Sequence, residues 1–276
     1  MVCSPVDVVF AVDSGYVVGL RGALASLCAH LGDPGRLRVT VLHDGLPAAV
    51  RAAVAAAAPR AEVRFSEVRD ERLGALPLPR RISPYITEIS FARLLIPELL
   101  PDLSRVLYLD ADVLVLGDVT ELWDTPLDGV PVAAVVDPMV TTWDAPRGIH
   151  NPELVAGRGA TPYFNSGVLL VDADAWRARD LTAAAVAYGR REARRIVLSD
   201  QEILNAVVDG AFLALDERWN QSAIHLEQEP SPAFEARLAR TRVLHYYGRI
   251  KPWHDHEPRR RVDDCYAPWV PDRLPS

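Results

Sequence analysis

Arg105-Val106-Leu107-Tyr108-Leu109-Asp110-Ala111-Asp112-Val113-Leu114-Val115-Leu116 is the stretch that decides how this chain folds. Arg105 to Leu109 has the branched and aromatic composition of a buried strand, and it runs straight into two acids before a second apolar run begins. If the chain is still extended there, residues two apart point to the same side. Two carboxylates so placed repel each other and are poorly solvated unless a cation joins them. Carboxylate oxygens suit Mg2+ or Mn2+, ions that usually bridge to substrate phosphates. Asp-x-Asp is also common in surface turns. The apolar runs on both sides are what lift this one above that background.

Working back toward the N-terminus, Val6 to Val12 (VDVVFAV) reads as a strand stopped by the turn cluster Asp13-Ser14-Gly15. Val17 to His30 has helical spacing, Arg38 to His43 alternates as a strand, Pro47 to Ala58 is an alanine-rich helix, and Glu62 to Val68 is a third strand. This alternation predicts an α/β fold with a mostly parallel, Rossmann-like sheet flanked by helices, whose ligands sit beyond the carboxyl ends of the strands. Thr87 to Leu99 is expected to be helical. Toward the C-terminus, Val130 to Val136 and Gly167 to Val171 are strands, and Ala175 to Arg195 is an arginine-rich helix. Ser199 and Glu202 have capping-box spacing and open a helix to about Val208. Leu213 to Leu215 and Thr241 to Leu244 close the series, and the segment from Glu257 looks irregular. No linker divides the chain: residues 1–254 are expected to form one domain, with 1–112 a nucleotide-binding half and 113–254 an acceptor and catalytic half, followed by a tail at 255–276.

Composition narrows the function. The 276 residues carry a formal net charge of -7, which excludes a general electrostatic attraction to nucleic acid. Cys3, Cys28 and Cys265 show no paired spacing, which argues against a disulfide framework and a zinc site and favours a reducing compartment. The N-terminus has no basic segment before its apolar stretch, and no apolar run is long enough to span a bilayer. A cytoplasmic protein is expected, with peripheral contact at the inner membrane face left open through Arg259 to Arg261, Tyr266 and Trp269.

Of the 30 basic residues only Lys251 is a lysine. It lies in His245-Tyr246-Tyr247-Gly248-Arg249-Ile250-Lys251-Pro252-Trp253, where a histidine after a short strand can ligate a metal, a glycine permits close backbone approach, and a compact ammonium suits a phosphate. A strand end, a turn glycine and a solvated lysine would have the same residues. Asn165 in Tyr163-Phe164-Asn165-Ser166-Gly167 can both donate and accept, as a sugar hydroxyl requires. Asp200 and Gln201 open a helix, where an acid is favoured by the dipole alone. Asp13 and Tyr16 after the first strand are placed for a base or ribose.

Taken in order, Ser90 to Leu127, YFNSGVLLVD, LSDQEILN, RWNQ and HYYGRIKPW resemble glycosyltransferase family 8, the retaining GT-A enzymes, from about Val6 to Trp253. The resemblance implies that Asp110, Asp112 and His245 hold a divalent cation, usually Mn2+, that chelates the diphosphate of a UDP-sugar. It implies that Ala11, Asp13 and Tyr16 meet the uridine, although Gly15 stands where many bacterial members have asparagine. Arg93 and Ala111 fall at donor contacts, and Gly248 and Lys251 at the diphosphate clamp. Asn165, Asp200 and Gln201 surround the donor sugar and reaction centre, and Asp137 meets the acceptor. The expected reaction moves a hexosyl unit, galactose or glucose, to a hydroxyl of a glycan, lipid-linked or small-molecule acceptor. Trp143 to Thr161 diverges from the family, so the acceptor is not carried over. Two other classes share features with this chain. A nucleotidyltransferase would place a basic glycine-rich loop after the first strand, where this chain has DSGYVVG; a non-catalytic sugar- or nucleotide-binding protein would not need the metal triad.

Overall fold

A computed structural model describes residues 4–76, 87–254 and 258–269. The strands are β1 (Val6–Val12), β2 (Leu37–His43), β3 (Glu62–Glu67), β4 (Arg105–Leu109), β5 (Val113–Val115), β6 (Val132–Val136), β7 (Phe164–Asp172), β8 (Phe212–Leu215), β9 (Gln221–Ser222) and β10 (Val243–His245). The helices that matter to the site are α1 (Val17–His30), α2 (Ala48–Ala55), α3 (Ala173–Ala178), α4 (Leu181–Arg191), α5 (Ser199–Val208) and α6 (Arg261–Tyr266). The chain forms two compact units, one of residues 1–67, 109–125 and 216–276 and the other of 68–108 and 126–215. The main sheet is seven-stranded and mostly parallel, contributed as β3-β2-β1 by the first unit and β4-β7-β6-β8 by the second.

In the first unit β1 pairs in parallel with β2, and β2 with β3. β1 is buried along nearly its whole length, as expected of a parallel strand covered on both faces. Its one charged residue, Asp7, lies opposite Arg38 in the register and is paired with it at 2.6 Å. The small residues of α1 serve close packing. A Cβ on Gly19 would lie 2.6 Å from the Ala111 carbonyl and 2.5 Å from the Trp253 ring, and one on Gly22 would meet the Tyr266 hydroxyl. A second, three-stranded sheet runs β5-β10-β9. The expected irregular tail instead contains α6, whose Val262 and Tyr266 are buried beside Leu114, Leu226 and Leu244. Tyr266 donates to the Val18 carbonyl and Tyr246 to that of Val262. The Val262 and Tyr266 side chains, together with the buried Asp263 that accepts from the Arg260 N–H at 3.0 Å, hold a short segment that has no periodicity of its own. Residues 255–257 and 270–276 of that tail, and Cys3, lie outside the described residues, where Cys28 and Cys265 are free thiols.

In the second unit β6 pairs antiparallel with β7 and parallel with β8. The expected helix over 87–99 is a 3-10 segment, Glu88–Leu95, followed by one α turn, Ile96–Leu99. The expected helix over 175–195 is two, because Asp180 takes a left-handed backbone (φ 50°) between α3 and α4. No helix among the described residues is long and apolar enough to cross a membrane.

Candidate metal centre and polar cluster

The first site is built by strand register. β4 stops at Leu109, and Asp110-Ala111-Asp112 is a turn closed by the Val113 N–H on the Asp110 carbonyl. The expected extended geometry is therefore absent, and the two carboxylates converge by turning. β5 then pairs antiparallel with β10, with His245 opposite Val113 and the Tyr246 N–H donating to the Asp112 carbonyl at 2.9 Å. That ladder delivers His245 to the acids. Its Nε2 lies 3.2 Å from Asp112 Oδ1 and 3.7 Å from Asp110 Oδ2, and one ligand atom from each of the three residues lies within 4.8 Å of the others.

β9 fixes the histidine's tautomer. Ser222 sits opposite His245 in the parallel register, which brings the buried Asn220 alongside, with its Oδ1 2.9 Å from His245 Nδ1. An amide oxygen only accepts, so Nδ1 carries the hydrogen, and in the neutral ring Nε2 presents a lone pair. That Nε2 is buried and makes no hydrogen bond. A lone pair and two carboxylates facing one another repel unless a cation sits among them, and an imidazole with two carboxylates is a donor set that suits Mn2+ or Mg2+. The residues fit a divalent ion. Asn220 holds the ring as a supporting residue of a metal histidine does, and sequence inspection missed it. The only signal was its place in RWNQ.

Lys251 joins the same cluster. Its Nζ donates to Asp112 Oδ2 at 2.5 Å and to the Tyr246 carbonyl at 2.9 Å, and lies 5.3 Å from the centre of the Tyr16 ring. Burial alone would raise the Asp112 carboxyl's pKa. The Lys251 ammonium beside it overturns that and holds it well below the usual carboxylate range. Gly248, at φ 91°, takes the left-handed turn that lets the strap from β10 double back to Lys251. Trp253 packs edge-on to Tyr16 and against Tyr266. Asp13 caps the 3-10 turn Ser14–Tyr16 by accepting from the Gly15 N–H, and Ala11 lies just before it in β1.

The second cluster belongs wholly to the second unit. Asn165 lies inside β7, which begins at Phe164, three residues before the expected strand start at Gly167. Asp200 and Gln201 stand in the first turn of α5 as expected. The cap differs: Ser199 has a left-handed backbone (φ 53°) and an unpartnered buried hydroxyl. Glu202, fully buried, accepts instead from the N–H groups of Val197, Leu198 and His150. Arg93 is buried over the Tyr108 ring at 4.7 Å. It lies 3.1 Å from Asp200 Oδ2 through Nε and donates to the Ser166 carbonyl through Nη1. Ser166 Oγ also donates to Asp200 Oδ2. Asp137, expected on the acceptor side, receives the amides of Asn165 and Gln201 on one oxygen, at 2.9 and 3.0 Å.

Comparison with known proteins shows the family and the fold. The galactosyltransferase LgtC, solved with donor and acceptor sugar analogues, superposes with a TM-score of 0.80 at 30% identity over 98% of each chain. The lipopolysaccharide 1,2-glucosyltransferase of Escherichia coli K12 is 27% identical over 90% of this chain and 72% of its own. General stress protein A of Bacillus subtilis is 28% identical over 67% of this chain, which spans 65% of that protein. The model of glycosyl transferase family 8 matches residues 7–257. The chain therefore belongs to glycosyl transferase family 8, with the GT-A fold and the cation-ligand cluster of a glycosyltransferase enzyme.

Proposed function

We propose that this protein transfers a hexosyl unit, galactose or glucose, from a UDP-sugar to a hydroxyl of a glycan, lipid-linked or small-molecule acceptor, with retention at the anomeric carbon. The convergence of Asp110, Asp112 and His245 on one point, with Lys251 on Asp112, carries this reading. A bound Mn2+ or Mg2+ would supply Lewis-acid neutralisation of the diphosphate leaving group. Asp110, Asp112 and His245 would hold it. Lys251 adds a point charge on the diphosphate, and Gly248 admits close backbone approach. Ala11, Asp13 and Tyr16 take the uridine end, with Ala111 and Arg93 as further donor contacts. Asn165, Asp200 and Gln201 serve the donor sugar and the reacting carbon, and Asp137 belongs to the acceptor side. A cytoplasmic location completes the reading; Tyr266, one of the residues the membrane contact would use, is buried in the core. The location is supported by the three cysteines without paired spacing.

The test is UDP release from a panel of UDP-sugars with Mn2+, with and without candidate acceptors. Asp112→Ala is expected to lose transfer and metal-dependent UDP binding together. Full activity of that variant in EDTA would sink the assignment.

A further inference from the structure

We infer that Asp137 is a positioning residue, one that locks the side-chain amides of Asn165 and Gln201 in a single orientation and acts on transfer through them. The inference rests on the proposed function for its effect on rate. The lock itself rests on hydrogen bonds alone.

Asp137 is 4% exposed and its carboxylate is full. Oδ1 accepts from the N–H groups of Met139 and Val140 at 2.8 and 2.9 Å, and Oδ2 from Asn165 Nδ2 and Gln201 Nε2. A carboxylate offers about four lone-pair sites, so four donors leave none for an acceptor hydroxyl. Both amides are also gripped at the other end by the backbone of β7. The Gly167 N–H donates to Asn165 Oδ1 at 3.0 Å, and the Ser166 N–H donates to Gln201 Oε1 at 3.1 Å. Turning the Gln201 amide over would set its NH2 against the Ser166 N–H and its oxygen against a carboxylate. Both contacts repel, so only one orientation survives. The same holds for Asn165 between Gly167 and Asp137. One acid, anchored by the turn that follows β6, thus acts with the β7 backbone to fix which way the carbonyl oxygens of Asn165 and Gln201 face. Electrostatic groups help a transition state only when they are aimed before the reaction begins.

Asp137→Asn is the test. An asparagine there sets its NH2 against two donors whichever way it is turned: either the side chains of Asn165 and Gln201, or the backbone of Met139 and Val140. In UDP release without acceptor, kcat is expected to fall roughly 10–100-fold with donor KM changed less than about 3-fold, the pattern of an interaction made in the transition state. In a Gln201→Ala background the same substitution is expected to cost only about 3-fold, because residues acting as one unit are not additive. Acceptor-free UDP release left unchanged while transfer shows a raised acceptor KM, or a loss of equal size in both backgrounds, would overturn the inference in favour of direct acceptor contact. Side-chain amide exchange followed by NMR on protein labelled with 15N at Asn and Gln reads the lock without any turnover. The NH2 groups of Asn165 and Gln201 should exchange slowly in the wild type and fast in the variant. Equal exchange in both would overturn the lock. If Asp137→Asn does not fold, Gln201→Glu leaves the Met139–Val140 turn intact and faces Asp137 with an oxygen. Asn165 exchange and thermal stability then read the repulsion, and an unchanged pair of values refutes the lock. Wild-type protein that releases UDP from no donor defeats the proposed function instead, while the exchange experiment still decides the lock.

Discussion

Lys251 Nζ lies 2.5 Å from Oδ2 of Asp112, so the one lysine of the chain neutralises a carboxylate that also faces His245. Both partners are buried, and removing one member of such a pair leaves an uncompensated charge, at a cost of about 3–5 kcal/mol. Lys251→Met is therefore expected to lower the melting temperature without metal. A divalent ion on Asp112 restores the missing positive charge, so the rise in melting temperature on adding Mn2+ should be larger in the variant than in the wild type. A smaller rise would mean that ammonium and metal do not share the Asp112 charge. UDP binding should weaken in the same variant even with metal present.

Asn220 supports His245 from the far side of the ring, and its loss should register as metal affinity. Asn220→Leu removes the acceptor for Nδ1–H and frees the ring to take the wrong tautomer. Outer partners of metal histidines typically account for 10–100-fold in affinity, and about that loss is expected in a Mn2+ titration followed by electron paramagnetic resonance. Asn220→Asp keeps an acceptor in place and should retain or improve binding. Equal weakening by both substitutions would point to a packing defect and away from ring orientation.

The N-terminal run from β1 to β3 was legible in the sequence because its strands and α1 are single-period segments closed by turn residues. Val6–Val12 and Val17–His30 emerge at their expected bounds. The metal triad was legible as residue types, but its geometry was not. The convergence of Asp110 and Asp112 depends on a turn, and the arrival of His245 depends on the β5/β10 register, neither of which has a local signature. Ser199 shows the limit from the other side. Its spacing to Glu202 suits a capping box, yet the buried Glu202 carboxylate takes the N–H groups of Val197 and Leu198, and tertiary burial overrides the local motif. Asn165 was recognisable as a residue type and Asp137 only by resemblance, since what joins them is a cluster of donors from three separate segments.

Gly19 permits α1 to lie against the Asp110–Asp112 turn. An added Cβ would sit 2.6 Å from the Ala111 carbonyl, a backbone atom that cannot move without moving both acids. Gly19→Ala is expected to destabilise by about 1–3 kcal/mol despite its better helix propensity, and to weaken Mn2+ binding with it. Gly74→Ala is the control, because its nearest neighbour is a Glu88 carboxylate oxygen at 3.5 Å. If Gly19→Ala kept full metal affinity, the turn would be set by β4 and β5 alone.

Glu202 should make stability fall with rising pH. Burial raises its carboxyl above the ordinary value of 4.5, while the N–H groups of Val197, His150 and Leu198 pull the other way without cancelling the rise. A raised folded value means that the native state prefers the protonated form more than the unfolded state does. The stability this contributes is fully present below 4.5 and is lost as pH climbs through the folded value. The loss amounts to about 1.4 kcal/mol for every pH unit that separates the folded value from the unfolded one. Glu202→Gln has nearly the same shape and does not titrate. Its oxygen can take the 2.7 Å bond from Val197, leaving only the 3.4 Å contact to His150 unmatched. The stability of wild type minus that of Glu202→Gln, from urea unfolding at pH 4 to 8, is therefore expected to decline with pH. A difference that is flat, or that grows with pH, would mean the N–H groups around the carboxylate outweigh its burial. The entry to α5, where Ser199 holds a left-handed backbone beside Asp200 and Gln201, would then be fastened by an ionised acid.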